Sequence, residues 1–292
     1  MKGLGFDVRV AAALAATTVF WASAFAGIRV ALEDYGPGEV ALGRFLVASL
    51  VLGGYAAIAR MRLPERRDLP AVFLAGFLAF TVYHVSLNYG EVTVSAGAAS
   101  ILINTVPVFT ALLATGFLGE RLRALGWVGM GVSFVGAALI SLGESEGLSV
   151  NPRAFVILVA ALSSSLYFIL QRPYLEKYGA LAFTTYAIWA GAILTIGFLP
   201  GLVSQVRTAE VGTTLAIVYL GVFPTAITYV TYAYVFSRMV ASRAVSFLYL
   251  IPVMAYLIAW AWLGEVPTLL SVAGAVLILT GVLVVNTHGR RR

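Results

Sequence analysis

Long apolar stretches separated by short clusters of charge recur along this chain from end to end. Ten carry few or no charges: 10–28, 45–59, 69–90, 92–118, 124–143, 154–171, 178–206, 211–237, 244–264 and 266–289. A helix needs about 20 predominantly apolar residues to cross the hydrocarbon layer of a bilayer, and most of these stretches qualify. The second is short only because Arg44 interrupts a run that starts near Val40. The pattern predicts an all-α membrane protein with ten transmembrane helices.

Composition narrows the function. Hydrophobic residues make up 61% of the chain and charged residues 11%, whereas soluble domains are about 45–50% apolar and about 25% charged. The longest polar connection, near 143–153, leaves no room for a soluble catalytic domain. Cysteine is absent, which excludes disulfides and thiolate metal sites. Two histidines and the lack of HExxH, GxSxG or GxxxxGK[ST] give a catalytic metal, a hydrolase or an ATPase nothing to stand on. We therefore expect no enzyme and no cofactor. The net charge of +6 sits in short loops rather than on one face, so it reports membrane topology rather than nucleic-acid binding.

With the N-terminus inside, all but four of the 19 lysines and arginines fall on the cytoplasmic side, the four being Arg29, Arg44, Arg153 and Arg207. Such a bias sets orientation and predicts that both termini face the cytoplasm, as in a bacterial or archaeal inner-membrane protein. Lys2, Arg9 and the tripeptide Ala22-Ser23-Ala24 have the look of a cleaved leader. A repeated segment immediately after them assigns the first helix to the fold instead.

That segment is RVALEDYG at 29–36, which returns as RPYLEKYG at 172–179. At a neighbouring offset Pro107 matches Pro252, Gly119-Glu120 matches Gly264-Glu265, Gly129 matches Gly274 and Gly136 matches Gly281. The chain reads as two halves, 1–146 and 147–292, of five helices each. Five is odd, so the second half enters the membrane upside down. Two inverted five-helix halves around a central cavity are suited to opening a site first to one side and then to the other.

The stretch GEVTVSAGAASILINTVPVFTALLATGFLGERL at 90–122, with its second copy ASRAVSFLYLIPVMAYLIAWAWLGEVP at 241–267, resembles the signature of the EamA family in the drug/metabolite transporter superfamily. The resemblance implies ten helices and a cavity lined by the first, third, fourth, sixth, eighth and ninth. Within the superfamily the likeness is to YddG-type amino-acid exporters, which implies a small-molecule substrate and export.

Polar and aromatic residues inside the spans supply the candidate site. Thr81, His84, Asn88 and Glu91 step by three, four and three along the third helix, a polar stripe that should face protein or water. His84 admits two readings: a neutral ring bonded to Asn88 or a backbone carbonyl, or a contact for substrate or proton. We expect the substrate near mid-membrane within Trp21, Tyr83, His84, Asn104, Ser164, Tyr167, Tyr229 and Tyr249. Aromatic rings would hold an apolar side chain, and hydroxyls and an amide its polar end. Pro107 and Pro252, inside apolar runs, are candidate hinges, while Pro224, opposite Ala79, reads as a local kink. Glu120 and Glu265 are placed to cap the helices that follow them. Arg44 lies near the outer boundary and can snorkel, so the cavity reads as amphipathic rather than ionic.

Glycines of the fifth and tenth helices permit close packing, either between the halves of a monomer or across a homodimer. The leading reading is an exporter of apolar or aromatic amino acids, or similar small metabolites, working by alternating access. A passive facilitator, or an exporter of another class of metabolite or drug, is the alternative.

The charge bias makes a prediction of its own. Single cysteines at Arg66 and His288 should be shielded from an impermeant external thiol reagent in intact cells, and one at Ser145 should be labelled. External labelling at position 66 would reverse the orientation.

Overall fold

The computed structural model describes residues 8–117, 123–144, 151–238 and 250–288, and every regular element among them is a helix. α1 (Val8–Ala31) and α2 (Pro37–Ile58) are unbroken. α3 (Leu69–Gly76) continues into α4 (Tyr83–Glu91) through a π-helical turn, Phe77–Val82. α5 (Ala96–Ile103) and α6 (Val106–Phe117) form a broken pair, followed by α7 (Ala124–Gly143) and α8 (Pro152–Leu170). α9 (Arg172–Tyr178) is short, and α10 (Ala180–Leu194) leads to α11 (Leu199–Val206). α12 (Val211–Leu220) joins α13 (Thr228–Arg238) through a second π-helical turn, Gly221–Ile227. α14 (Ile251–Leu263) and α15 (Leu269–His288) complete the described chain.

Among the described residues seven helices are long and apolar enough to cross a membrane, or eight if the pair Ala180–Leu194 and Ile196–Val206, bent by 46°, is one span. The ninth and tenth predicted spans correspond to the shorter apolar helices Ile251–Leu263 and Leu269–Val285.

Both candidate hinge prolines sit differently from the expectation of a bend within a continuous helix. The helix containing Pro107 is broken at Asn104–Thr105, and the proline lies in the first turn of α6. There its missing amide leaves no intrahelical bond unmade. The Thr105 hydroxyl turns back to the Leu102 carbonyl at 2.7 Å. Pro252 likewise stands in the first turn of α14.

Pro224 lies within a π turn, but so does Ala79 in the other rod. The widened turn therefore does not depend on proline. Both turns are accompanied by hydroxyls that bond nearby carbonyls: Ser163 donates to Leu78, Thr225 to Leu220 and Thr228 to Phe223, each at 2.8 Å. The Leu78 and Phe223 carbonyls also accept backbone N–H groups, from Tyr83 and Thr228, so they stay bonded in an apolar surrounding where an unpaired carbonyl is costly.

Pairings between elements recur with partners exchanged: α2 meets the second π turn as α10 meets the first, and α4 packs on α8 as α1 packs on α13. α7 and α15 form the most extensive pairing and cross at glycines. A Cβ at Gly274 would lie 2.5 Å from the Gly136 carbonyl oxygen, and one at Gly129 would lie 2.8 Å from that of Gly281. The small-residue face is thus used inside the chain. Gly264 ends α14 with φ 69° and ψ 14°, the left-handed conformation expected of it. Gly119 lies outside the described residues.

Gly274→Ala should force backbone against backbone and lower stability by about 1–3 kcal/mol in a thermal melt of the purified protein. Gly131→Ala, with nothing within 4 Å of its added carbon, is the control and should be neutral or slightly stabilising. Equal melting of the two variants would show that the crossing is not tight.

Candidate functional site

An aromatic cluster joins the two ends of the chain. Phe80, fully buried in the first π turn, lies 5.9 Å from His84, 6.5 Å from Tyr167 and 6.2 Å from Tyr229, ring centre to ring centre. Trp21 of α1 continues it, 5.9 Å from Tyr229 and 4.9 Å from Tyr232, and donates its indole N–H to the Pro224 carbonyl at 3.2 Å. Phe45 of α2 stacks on His84 at 5.0 Å, and Tyr83 lies 4.7 Å from the same ring.

Five of the expected site residues therefore fall in one cluster: Trp21, Tyr83, His84, Tyr167 and Tyr229. Phe80 and Phe45 were missed, although Phe80 precedes His84 by one helical turn. Asn104 is not joined to the cluster; its amide donates to the Ser100 carbonyl at 3.0 Å, capping its own helix. Ser164 makes no hydrogen bond among the described residues, whereas its neighbours do: Ser163 bonds Leu78, and Ser165 bonds Val106 at 2.9 Å. Tyr249 lies outside the described residues.

The polar stripe is buried, and each of its four members carries an unpartnered atom: Thr81 Oγ1, His84 Nδ1, Asn88 Oδ1 and both Glu91 carboxylate oxygens. Among the described residues His84 bonds neither Asn88 nor a backbone carbonyl, and the Asn88 amide donates to the Pro37 carbonyl at 2.8 Å. Leaving a buried polar group unpaired costs about 1–3 kcal/mol. Several on one helix face mark a surface that receives water or a polar ligand.

Arg44 corrects the sequence reading. It does not snorkel: the side chain is buried, with the residue 4% exposed, and Nε donates to Thr225 Oγ1 at 2.8 Å. Helix α12 and the second π turn cover it, because Gly221 lets them approach the α2 backbone closely. Glu91 is also buried, so the interior holds ionisable side chains of both kinds.

At one end of the stripe the Glu91 carbonyl accepts from Arg29 Nη1 at 2.6 Å, and Arg29 Nε pairs with Glu265 at 3.1 Å. Glu265 also accepts from the Ala96 amide at 2.9 Å. It caps α5 rather than the helix that follows it, because α14 packs along α5 and the left-handed turn at Gly264 brings the carboxylate there. Glu120 lies outside the described residues. A cavity of about 260 Å³ bounded by Arg29, Leu32, Glu33, Val92, Leu263 and Glu265 opens at this end.

The repeated octamers make matching ties. Asp34 accepts from the Glu210 amide at 2.9 Å and the Thr213 hydroxyl at 2.7 Å, bonds that hold its carboxyl below the usual carboxylate range. Lys177 pairs with Asp68 at 2.5 Å and Glu65 at 2.9 Å, which raises its ammonium above the usual lysine range. Each copy thus fastens a helix end to the start of a π-interrupted rod.

Fold and site define a helical membrane protein with a polar, aromatic-walled interior. The model of the EamA-like transporter family matches residues 9–142 and 152–287, and the chain belongs to that family. It is 47% identical over 262 residues to the uncharacterized transporter YdfC of Bacillus subtilis, covering 90% of this chain and 86% of the relative. It is 41% identical over 282 residues to a probable terminal-alkyne amino-acid exporter of Streptantibioticus cattleyicolor, covering 96% and 95%. A solved crystal structure superposes with a TM-score of 0.60 at 18% identity, covering 95% of this chain and 96% of the other, and shows the fold alone. The protein is an integral membrane transporter.

Phe80 holds the cluster together, so Phe80→Ala should cost about 3–5 kcal/mol in thermal unfolding. Phe168→Ala, whose ring is 45% exposed on α8, should cost no more than about 0.5 kcal/mol. Similar losses in both would remove Phe80 from its central place.

Proposed function

We propose that this transporter exports amino acids with apolar or aromatic side chains by alternating access. The observation that carries the reading is the aromatic cluster: it is drawn from both halves of the chain and meets, at His84, a stripe of buried unpartnered polar atoms. Rings on one side and acceptors on the other suit a molecule with an apolar body and a polar end. The exporter of Streptantibioticus cattleyicolor, similar over nearly the whole chain, supports an amino acid as that molecule.

In this reading ten transmembrane helices form two inverted halves, 1–146 and 147–292. The two segments matched by the family model, the π turns at corresponding places and the exchanged pairings all support it. Trp21, Tyr83, His84, Tyr167 and Tyr229 form the wall in contact with substrate, with Asn104, Ser164 and Tyr249 completing it. The break before Pro107 and the start of α14 at Pro252 are the points about which the halves rearrange, since backbone interrupted at Asn104–Thr105 bends there without losing further bonds. Both termini are cytoplasmic.

The test is flux in proteoliposomes with phenylalanine, leucine and alanine, with and without a pH gradient. Trp21→Ala should slow phenylalanine and leucine about tenfold, the effect of losing an aromatic contact of about 1.4 kcal/mol, and alanine much less. Flux indifferent to the gradient would identify a facilitator. If no amino acid crosses, the substrate assignment is wrong.

A further inference from the structure

Arg44 is a buried cation with no ion-pair partner among the described residues. Its single hydrogen bond there, from Nε to Thr225, fixes the plane of the guanidinium. The Thr225 proton is committed to the Leu220 carbonyl, so the hydroxyl presents a lone pair to Nε and holds it in one direction. Both Nη groups remain free for another partner. Burying an uncompensated charge is strongly unfavourable, and such a residue persists where a ligand or an opposing group completes it.

The fold does not require an arginine at this place. Gly221 in the second π turn approaches α2 so closely that a Cβ would lie 2.8 Å from the Arg44 carbonyl oxygen. Gly76, beside the first π turn, approaches α10 in the same way, with 2.8 Å to the Ala187 carbonyl oxygen. Arg44 and Ala187 are related by the same offset as the two octamers. One packing arrangement thus occurs twice, once with alanine and once with arginine. The polar stripe is equally one-sided: Thr81 and Asn88 have Ala226 and Ala233 as counterparts.

From this we infer that Arg44 holds the carboxylate of the transported molecule, its two free Nη groups gripping both oxygens. A planar guanidinium with one edge tethered and the other open matches a carboxylate in bidentate geometry. The guanidinium is within electrostatic reach of Tyr83, His84 and Tyr229, which places it beside the aromatic wall that would take the apolar body. The unpartnered oxygens of Asn88 and Glu91 are acceptors for an ammonium, and Glu91 is within electrostatic reach of the guanidinium. A guanidinium for the carboxylate and acceptor oxygens for the ammonium select a zwitterion: a simple amine leaves the arginine unpaired, and a phosphate offers no apolar body to the aromatic wall. The inference rests on the amino-acid reading and makes it specific to the carboxylate.

Binding to the purified full-length protein in lipid nanodiscs tests it, with three probes that share one ring: phenylalanine, phenylpropionate with a carboxylate alone, and phenethylamine with an ammonium alone. Wild type should bind the two carboxylates more tightly than phenethylamine, and Arg44→Gln should weaken both at least about tenfold. Phenethylamine binding as tightly as phenylalanine, or carboxylate binding unchanged in Arg44→Gln, overturns the inference. Where Arg44→Gln does not fold, Thr225→Val decides. It keeps the charge but frees Nε, and should weaken the carboxylates about three- to tenfold, the worth of one hydrogen bond; no change overturns the inference. If wild type binds no amino acid, the export reading fails by itself. Phenylpropionate then still decides the arginine: binding lost in Arg44→Gln upholds its role, and no binding to wild type ends it.

Discussion

Inside a bilayer a backbone carbonyl has no water to turn to, so an irregular turn must keep its carbonyls bonded, and this constraint shapes the centre of the protein. In the two π turns the Leu78 and Phe223 carbonyls accept backbone N–H groups five residues on, from Tyr83 and Thr228, and hydroxyls add to the bonding: Ser163 to Leu78, Thr225 to Leu220, Thr228 to Phe223. Those same places turn side chains inward, because a widened turn changes which residues share a face. Phe80 and Thr225, the hubs of the aromatic cluster and of the arginine tether, both lie within π turns.

Packing follows the same economy of space. Where backbones meet, glycine removes the side chain, at the α7–α15 crossing and where α2 and α10 each approach a π turn. With helices held this near, little apolar volume is left between them, and the polar stripe of α4 is enclosed without being paired. Rigid crossings around an unsatisfied interior favour a protein that binds something there. The interruption at Asn104–Thr105 lies outside the elements that carry the aromatic cluster.

Charge divides between rim and interior. Asp34, Lys177 and the Arg29–Glu265 pair join helix ends at the periphery, where water screens them and each contributes little. Arg44 and Glu91 are enclosed, where a charge acts over distance and its partner matters. The octamer copies keep their shape but not their chemistry, an acid in one and a base in the other at the corresponding tie.

The sequence by itself determined the elements and their class. Apolar run length predicted membrane helices, the stripe at Thr81, His84, Asn88 and Glu91 announced a buried face, and five aromatic and imidazole side chains of the eight expected proved to share a cluster. These are properties of spacing along one helix, or of composition, and neither needs a neighbour. The tertiary structure decided what depended on a partner far along the chain. Arg44 looked free to reach the surface until α12 and the second π turn closed over it. The Asn88 amide turned to the Pro37 carbonyl and left its own oxygen, like His84 Nδ1, without a partner among the described residues. Glu265 capped a helix begun 169 residues earlier. Ala79 shared a π turn with no proline to signal it. In each case a side chain's role was set by which backbone lay opposite, and that is a fact of packing, which one-dimensional pattern does not carry.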